Sequence, residues 1–328
     1  MYDLISLGDT QHDTFLLLNE REAHVVCKLN SDDCEICFNY ADKIPVDSVH
    51  RSVAGNAANV AVSTSRLGLK TAIWTILGDD GLGAEALETF KREKIDSSFV
   101  TVDKDTPSNV STVINIFNER TILIYHHPRA YHVPELPEAK YYYITSMAPG
   151  SETAFDDCAQ LAARNHAKLV FQPGTHQLRV GPAPARILLT HTEIIFMNLQ
   201  EARHYTNSQS ADPGLLLESL HKLGPRIAVV TDGKNGSYCY DGEHMFKTGI
   251  IEEAPVVEPT GAGDAYAAGF ATARIKGKSI EDAMRWGTYN ASAVIGKIGP
   301  QAGLVTLEQM HEWEKRYPLS VERTIMNH

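Results

Sequence analysis

The residues best equipped for chemistry stand together at Pro259-Thr-Gly-Ala-Gly-Asp264, which runs straight into Ala265-Tyr-Ala-Ala-Gly-Phe-Ala-Thr-Ala273. Proline and glycines turn the chain, and the alanine-rich run after them favours a closely packed helix. The unpaired N–H groups of a helix's first turn, at the positive end of its dipole, form an anion site. Glycines there let a phosphate approach the backbone. No G-x-x-x-x-G-K-[ST] pattern occurs, so this is not a Walker-type phosphate loop. Asp264 is the informative member, because a carboxylate repels a bound phosphate. It could stabilise the helix start, as acidic residues do, or take the proton from a hydroxyl that attacks a phosphoryl group. The local pattern fits both tasks.

A loop of this kind needs a frame that holds it. From about residue 70 to 250, short β-branched runs alternate with amphipathic stretches. Thr71–Leu77 precedes a helix-like run over 82–93, and Tyr141–Thr145 precedes one over 152–164. Lys168–Phe171 and Glu193–Phe196 continue the series. This alternation predicts a doubly wound α/β fold, a mostly parallel sheet with helices on both faces and ligands at the carboxyl ends of its strands. Residues 14–50 and 108–126 break the rhythm with short strands and polar turns, Asn118-Glu119-Arg120 reading as a hairpin turn. They are read as two excursions that build one small β-sheet cover. After Thr260 helices are expected near 263–276, 279–296 and 306–316. The 328 residues contain no linker or repeat and read as one catalytic domain plus this cover.

Composition narrows the partners. With 30 basic against 41 acidic residues the formal charge is −11, which disfavours a sequence-independent grip on nucleic acid. No segment has the ~18 uninterrupted apolar residues of a membrane span. The N-terminal Met1–Gly8 reads as a buried strand rather than a secretory signal, so a cytoplasmic location is expected. The cysteines, Cys27, Cys34, Cys37, Cys158 and Cys239, are an odd and sparse set and read as reduced thiols. Cys34-Glu-Ile-Cys37 has metal-ligand spacing but lacks a second pair, and residues three apart on a strand point to opposite faces.

Beyond the helix-start motif, several segments stand in a telling order. They are Gly8-Asp-Thr-Gln-His-Asp13, Val53-Ala-Gly-Asn-Ala-Ala-Asn-Val-Ala-Val62 continuing to Gly68, Gly78-Asp-Asp-Gly-Leu-Gly83, Glu119–Leu123, Asn198-Leu-Gln-Glu201 and Val230-Thr-Asp-Gly-Lys-Asn-Gly236. In this order and spacing the chain resembles the ribokinase family of carbohydrate kinases (PfkB type) over nearly its whole length. The resemblance implies an ATP-dependent kinase with a β-sheet lid over a small sugar, most simply one phosphorylated at its primary hydroxyl. It also implies Mg2+ as cofactor and, by family habit, a homodimer that pairs lid to lid. Asp264 would be the general base, with Gly261, Ala262 and Gly263 presenting N–H groups to the γ-phosphate. Asp13, the Gly55 backbone and Asn56 or Asn59 would hold the substrate. Asn198 would serve the nucleotide and Glu201 the Mg2+ through water, although N-x-x-E also spells a helix-capping box. Thr231, Gly233, Gly236 and Asn290 would lie on the nucleotide side.

Some residues depart from the family pattern. Glu258 replaces an aspartate that lies near a monovalent-cation site in potassium-activated members, so activation by K+ stays an open expectation. Ala54 replaces a glycine of the substrate motif. Phe171-Gln-Pro-Gly-Thr-His176 stands where fructokinase-like and ketodeoxygluconate kinase-like members carry D-x-N-x-R, with His176 at the arginine's place. Only Arg129 and Arg51 are obvious cations near the cover, which favours an uncharged acceptor over a sugar phosphate. The apolar residues Ile36, Phe38, Val113 and Ile116 keep a nucleoside kinase as an alternative. A catalytically inactive sugar- or nucleotide-binding sensor is the alternative from another class.

Overall fold

The computed structural model describes residues 1–19, 21–27, 34–116 and 119–326. Strand β1 (Tyr2–Leu7) is followed by β2 (Gln11–Leu18), the antiparallel pair β3 (His24–Cys27) and β4 (Cys34–Cys37), β5 (Val46–Ala54) and helix α1 (Asn56–Arg66). The chain continues through β6 (Thr71–Trp74), β7 (Ile76–Gly78), α2 (Gly81–Arg92), β8 (Thr101–Asp103), β9 (Asn109–Ile116) and β10 (Glu119–Tyr125). Then follow β11 (Ala139–Ile144), α3 (Glu152–Arg164), β12 (Lys168–Phe171), α4 (Thr175–Val180), α5 (Arg186–His191), β13 (Thr192–Asn198), α6 (Leu199–Tyr205), α7 (Pro213–Lys222) and β14 (Ile227–Thr231). The remainder is β15 (Ser237–Tyr240), β16 (His244–Thr248), α8 (Ala262–Ile275), α9 (Ile280–Val294), α10 (Leu307–Arg316) and β17 (Val321–Ile325).

Nine strands form the main sheet in the order β17-β16-β15-β14-β13-β12-β11-β1-β6. The six from β14 to β6 run parallel, and the last three extend the edge antiparallel. Both faces of the parallel part are buried, which explains apolar runs such as Ile227-Ala-Val-Val230. Period-two alternation divides these strands between two cores. Ile5, Tyr142, Leu169, Phe171 and Ile195 join α3, α5 and α7 on one face, while Leu4, Tyr143, Val170, Ile194 and Phe196 join α8 and α9 on the other. The second layer is tight because its helices touch backbone to backbone. A Cβ on Gly269 of α8 would lie 2.6 Å from the Trp286 carbonyl oxygen of α9.

The strand order turns at β1. The chain leaves β1 for β6 on one side and later adds β11 on the other, so the switch point and its crevice lie at the carboxyl ends of β1 and β11. Above that crevice stands the expected small sheet, with order β10-β9-β2-β5. Strands from both excursions meet in it, β2 pairing parallel with β9 and antiparallel with β5. Its inward face carries Asp13, Phe15 and Val113, all three buried.

Several local expectations change. Thr71–Leu77 is not one strand, because β6 ends at Trp74 and β7 pairs with β8 instead. Glu119 and Arg120 belong to β10 rather than a turn, while Asn118 lies outside the described residues. Ile36 lies on the separate β3–β4 pair and Phe38 just after it, not in the four-stranded sheet. Cys27 and Cys34 are not reduced thiols but are bonded to each other. They are directly opposed cross-strand partners, a relation that appears only once the strands pair. Cys37, Cys158 and Cys239 are free. Among the described residues no helix is long and apolar enough to cross a membrane.

Candidate active site

The ends of β1, β11, β12, β13 and β14, the starts of α1 and α8, and the inner face of the small sheet enclose a cavity of about 620 Å3. Two glycines shape its floor. Gly261 caps α8 with φ 83°, and a Cβ there would lie 2.6 Å from Pro300 Cβ. Gly55 caps α1 with φ 92°, and its Cβ would lie 2.6 Å from the Asp9 carbonyl oxygen. Both conformations favour glycine, and both bring bare backbone to the cavity.

Asp264 sits in the first turn of α8 with only 7% of its surface exposed. Three amides donate to its carboxylate: Asn56 Nδ2 to Oδ1 at 2.8 Å, Asn59 Nδ2 to Oδ2 at 2.8 Å and Gln172 Nε2 to Oδ1 at 3.0 Å. Two of these amides are oriented from behind. Gln301 Nε2 donates to Asn59 Oδ1 at 3.1 Å, and the Tyr143 hydroxyl donates to Gln172 Oε1. With each amide oxygen engaged, each NH2 faces Asp264. Burial pushes the Asp264 carboxyl up to about 6, against the lowering effect of the three donors, and the charge of Asp13 adds to the rise. A carboxylate with that acid strength is ionised at neutral pH yet ready to take a proton.

Asp13, on β2, is buried and also faces the cavity. Gln11 Nε2 donates to its Oδ1 at 2.8 Å and the Ser111 hydroxyl donates to the same oxygen, while no donor among the described residues reaches Oδ2. Burial raises the Asp13 carboxyl above the ordinary range, and the Ser111 and Gln11 bonds oppose the shift. On the other side, Asn198 and Glu201 form a reciprocal cap at the start of α6. Glu201 N–H donates to Asn198 Oδ1 and Asn198 N–H to Glu201 Oε2, both at 2.8 Å. The capping reading of N-x-x-E is therefore real, and both side chains still line the cavity. Burial, with the charge of Asp264 adding to it, raises the Glu201 carboxyl.

The structure thus brings together Asp13, Gly55, Asn56, Asn59, Asn198, Glu201, Thr231, Gly261, Ala262, Gly263 and Asp264 around one cavity. It does not bring Asn290 there. That residue is fully buried, donating to Ser63 Oγ at 2.8 Å and the Ala265 carbonyl at 2.7 Å and accepting from Val305 N–H at 3.3 Å. It ties α9 to α1 and α8, a role invisible from its position along one helix. Gly233 and Gly236 belong to the turn between β14 and β15 and do not line the cavity. Glu258 lies behind the loop, with Oε1 accepting from Thr260 N–H at 3.0 Å and from its hydroxyl, and Oε2 buried without a partner.

The cations also differ from expectation. Arg129 is spent on the carbonyls of Ile76 and Pro107 and on Thr106, and Arg51 does not line the cavity. Arg120 on β10, within the Glu119–Leu123 segment, and Arg179 on α4, which no motif or spacing marks, do. His176 reaches the cavity with its Nε2 2.7 Å from Glu152 Oε1. Gln172, at the first position of the place where relatives carry D-x-N-x-R, was the nearest thing to a signal for the third amide.

Comparisons with known proteins bear on the family and the fold. The profile described as pfkB family carbohydrate kinase matches residues 22–307. A nucleoside kinase of Methanothermobacter thermautotrophicus is 29% identical over 255 residues, covering 76% of this chain and 80% of that protein. The crystal structure of Methanocaldococcus jannaschii nucleoside kinase, an archaeal member of the ribokinase family, shares the fold with a TM-score of 0.75 and 22% identity, covering 97% of this chain and 99% of that one. Arabidopsis thaliana ribokinase complexed with ribose and ATP does so with a TM-score of 0.77 and 19% identity, covering 95% and 98%.

The new assignment of Asn290 is directly checkable. Asn290→Ala leaves a buried carbonyl, hydroxyl and N–H without their partner and should destabilise the fold by roughly 2–4 kcal/mol. In a folded sample the KM for nucleotide should stay within about twofold; a selective rise in that KM, with unchanged thermal stability, would return Asn290 to the nucleotide site.

Proposed function

The chain belongs to the pfkB family of carbohydrate kinases, and from that membership we propose that it transfers the γ-phosphoryl group of ATP to a hydroxyl, most simply a primary one, of a small polyhydroxylated acceptor. The observation that carries the reading is the Asp264 carboxylate, buried beside the glycine N–H groups of a helix start and held near pKa 6. In this reading Asp264 takes the acceptor proton as the hydroxyl attacks. The Gly261, Ala262 and Gly263 N–H groups, with the dipole of α8, receive the charge that gathers on the transferring group. Asp13 presents its free Oδ2, and Asn59 keeps one amide hydrogen and one lone pair, so together with the Gly55 backbone they can hold two or more hydroxyls.

Nucleotide and Mg2+ fit the opposite wall. The charge of Asp264 adds to the burial that makes Glu201 harder to ionise, which is the setting a divalent cation relieves. Glu201 and Asn198 would hold it through its waters. When bound with ATP, Mg2+ supplies charge neutralisation to the phosphates. Thr231 lies on the nucleotide side of the same wall. The four-stranded sheet acts as a lid that excludes competing water. The apolar inner residues Ile122 and Ile124, beside Met147 and Ala148, favour an acceptor with an apolar ring, a nucleoside, alongside a free sugar. The unpartnered Glu258 Oε2 supports a monovalent cation behind the loop. The exposed apolar side chains Val49, Val110 and Leu123 on the sheet support pairing of two lids in a homodimer.

An ATP-consumption panel of free sugars, sugar phosphates, ketodeoxy acids and nucleosides tests the function. One class should be turned over, with an acid limb in kcat/KM near pH 6, because activity needs Asp264 ionised and is lost as pH falls below that value. Asp264→Asn should lower kcat by about 10²–10⁴-fold with ATP binding intact. Absence of any turnover alongside normal ATP binding would favour a sensor. Exchange of Na+ for K+ should raise kcat, and equal rates would remove the cation site. Light scattering should give the mass of two chains; a monomer would end the lid-to-lid pairing.

A further inference from the structure

On the acceptor wall a polar chain runs from the main sheet into the lid. The Tyr131 hydroxyl donates to Asp9 Oδ1 at 2.8 Å. His126 Nδ1 lies 3.1 Å from Asp9 Oδ2, and its Nε2 lies 3.0 Å from Gln11 Oε1. Gln11 Nε2 then donates to Asp13 Oδ1 at 2.8 Å. Asp9, Gln11, Asp13 and His126 all line the cavity.

The order of donors and acceptors along this chain is constrained. An ionised carboxylate only accepts, so Asp13 requires the NH2 of Gln11 and turns the Gln11 carbonyl towards His126. Asp9 also only accepts, so both ring nitrogens of His126 face acceptor oxygens. A ring with N–H on both nitrogens satisfies both at once. With a single N–H on Nε2, Asp9 Oδ2 still has the Tyr131 hydroxyl at 3.0 Å; with it on Nδ1, Gln11 Oε1 loses its donor. Gln11 can then rotate its amide to meet the bare nitrogen, but that turns its carbonyl onto Asp13 Oδ1, where two acceptors repel. The Gln11 amide is thus a two-position element that passes the state of the His126 ring to Asp13.

The other groups around the ring do not supply an alternative. The titratable groups facing it are Asp9 on the segment after β1, Asp13 through Gln11 on β2, and Tyr131 through Asp9. The cation nearest in sequence, Arg129, is turned away onto the Ile76 and Pro107 carbonyls, Thr106 and Asp103.

We propose that His126 is a positioning residue for acceptor recognition: anchored by Asp9 and presenting Nε2–H to the Gln11 carbonyl, it locks Gln11 so that Asp13 keeps its Oδ2 free for acceptor hydroxyls. The proposal rests on the cavity being the acceptor site of a kinase. It makes acceptor affinity, and not ATP affinity, depend on a residue that orients Asp13 through Gln11.

The test uses the full chain and whichever acceptor the panel turns over. His126→Ala should raise the acceptor KM by roughly tenfold, the loss of about one hydrogen bond's orientation, with the ATP KM within twofold. Gln11→Glu, which sets a carbonyl-type oxygen against Asp13 whatever the ring does, should raise it at least as much. Both variants should keep kcat within about twofold, because the brace acts on the acceptor and not on the reacting groups. Equal changes in both KM values, an unchanged acceptor KM, or a loss in kcat as large as the rise in acceptor KM would each overturn the proposal while leaving the kinase reading intact. A panel with no turnover at all would overturn both.

Discussion

A carboxylate that is taken out of water and yet kept ionised is the constraint around which this structure is arranged. Left alone in a dry cavity, Asp264 would hold its proton; with strong cationic partners it would be too weak a base to use. Three neutral amides strike the balance, lowering a desolvated acid only to about 6. Neutral donors can do this only if their NH2 groups are fixed. Gln301 fixes Asn59, and Tyr143 fixes Gln172. Much of the fold can be read as the means of delivering these five side chains to one point.

They come from far apart in the chain. Asn56 and Asn59 ride on α1, Tyr143 on β11, Gln172 just beyond β12 and Gln301 on the segment before α10. The strand order that reverses at β1 opens the crevice where these parts converge. The alanine- and glycine-rich face of α8 lets it press against α9 closely enough to set Asp264 at a fixed depth. Asn290, holding α9 to α1 and α8 from within, serves the same end. Its place in the packing explains why an asparagine outside the cavity lining is buried so completely.

The frame and the glycine-rich helix start were largely legible in the sequence, for physical reasons. Doubly wound sheets announce themselves by alternation, and α3 over Glu152–Arg164 coincides with its predicted run. Glycine-rich helix starts are local, so Gly261 to Asp264 could be read from six residues. What stayed hidden depends on pairing between distant segments. Gln172 and Gln301 carry no spacing signal, because an amide becomes a catalytic neighbour only when a strand end and a remote loop meet. The Cys27–Cys34 bond required the register of β3 and β4. Arg120 reads as a turn residue until β10 begins at Glu119, after which alternation sends it, with Ile122 and Ile124, to the cavity.

The two walls of the cavity solve one electrostatic problem differently. Asp13, Glu201 and Asp264 each carry a carboxylate that burial pushes towards neutrality, and together they oppose the entry of a triphosphate. On the nucleotide wall, helix-start N–H groups and a divalent cation can answer that repulsion when the nucleotide arrives. On the acceptor wall nothing comparable arrives with an uncharged sugar or nucleoside, so the compensation must be built in. The hydrogen bonds of Ser111 and Gln11 to Asp13, braced through His126 and Asp9, are that built-in part. Because the brace joins the main sheet to the small sheet, on the proposed reading acceptor recognition and the seating of that sheet draw on the same bonds.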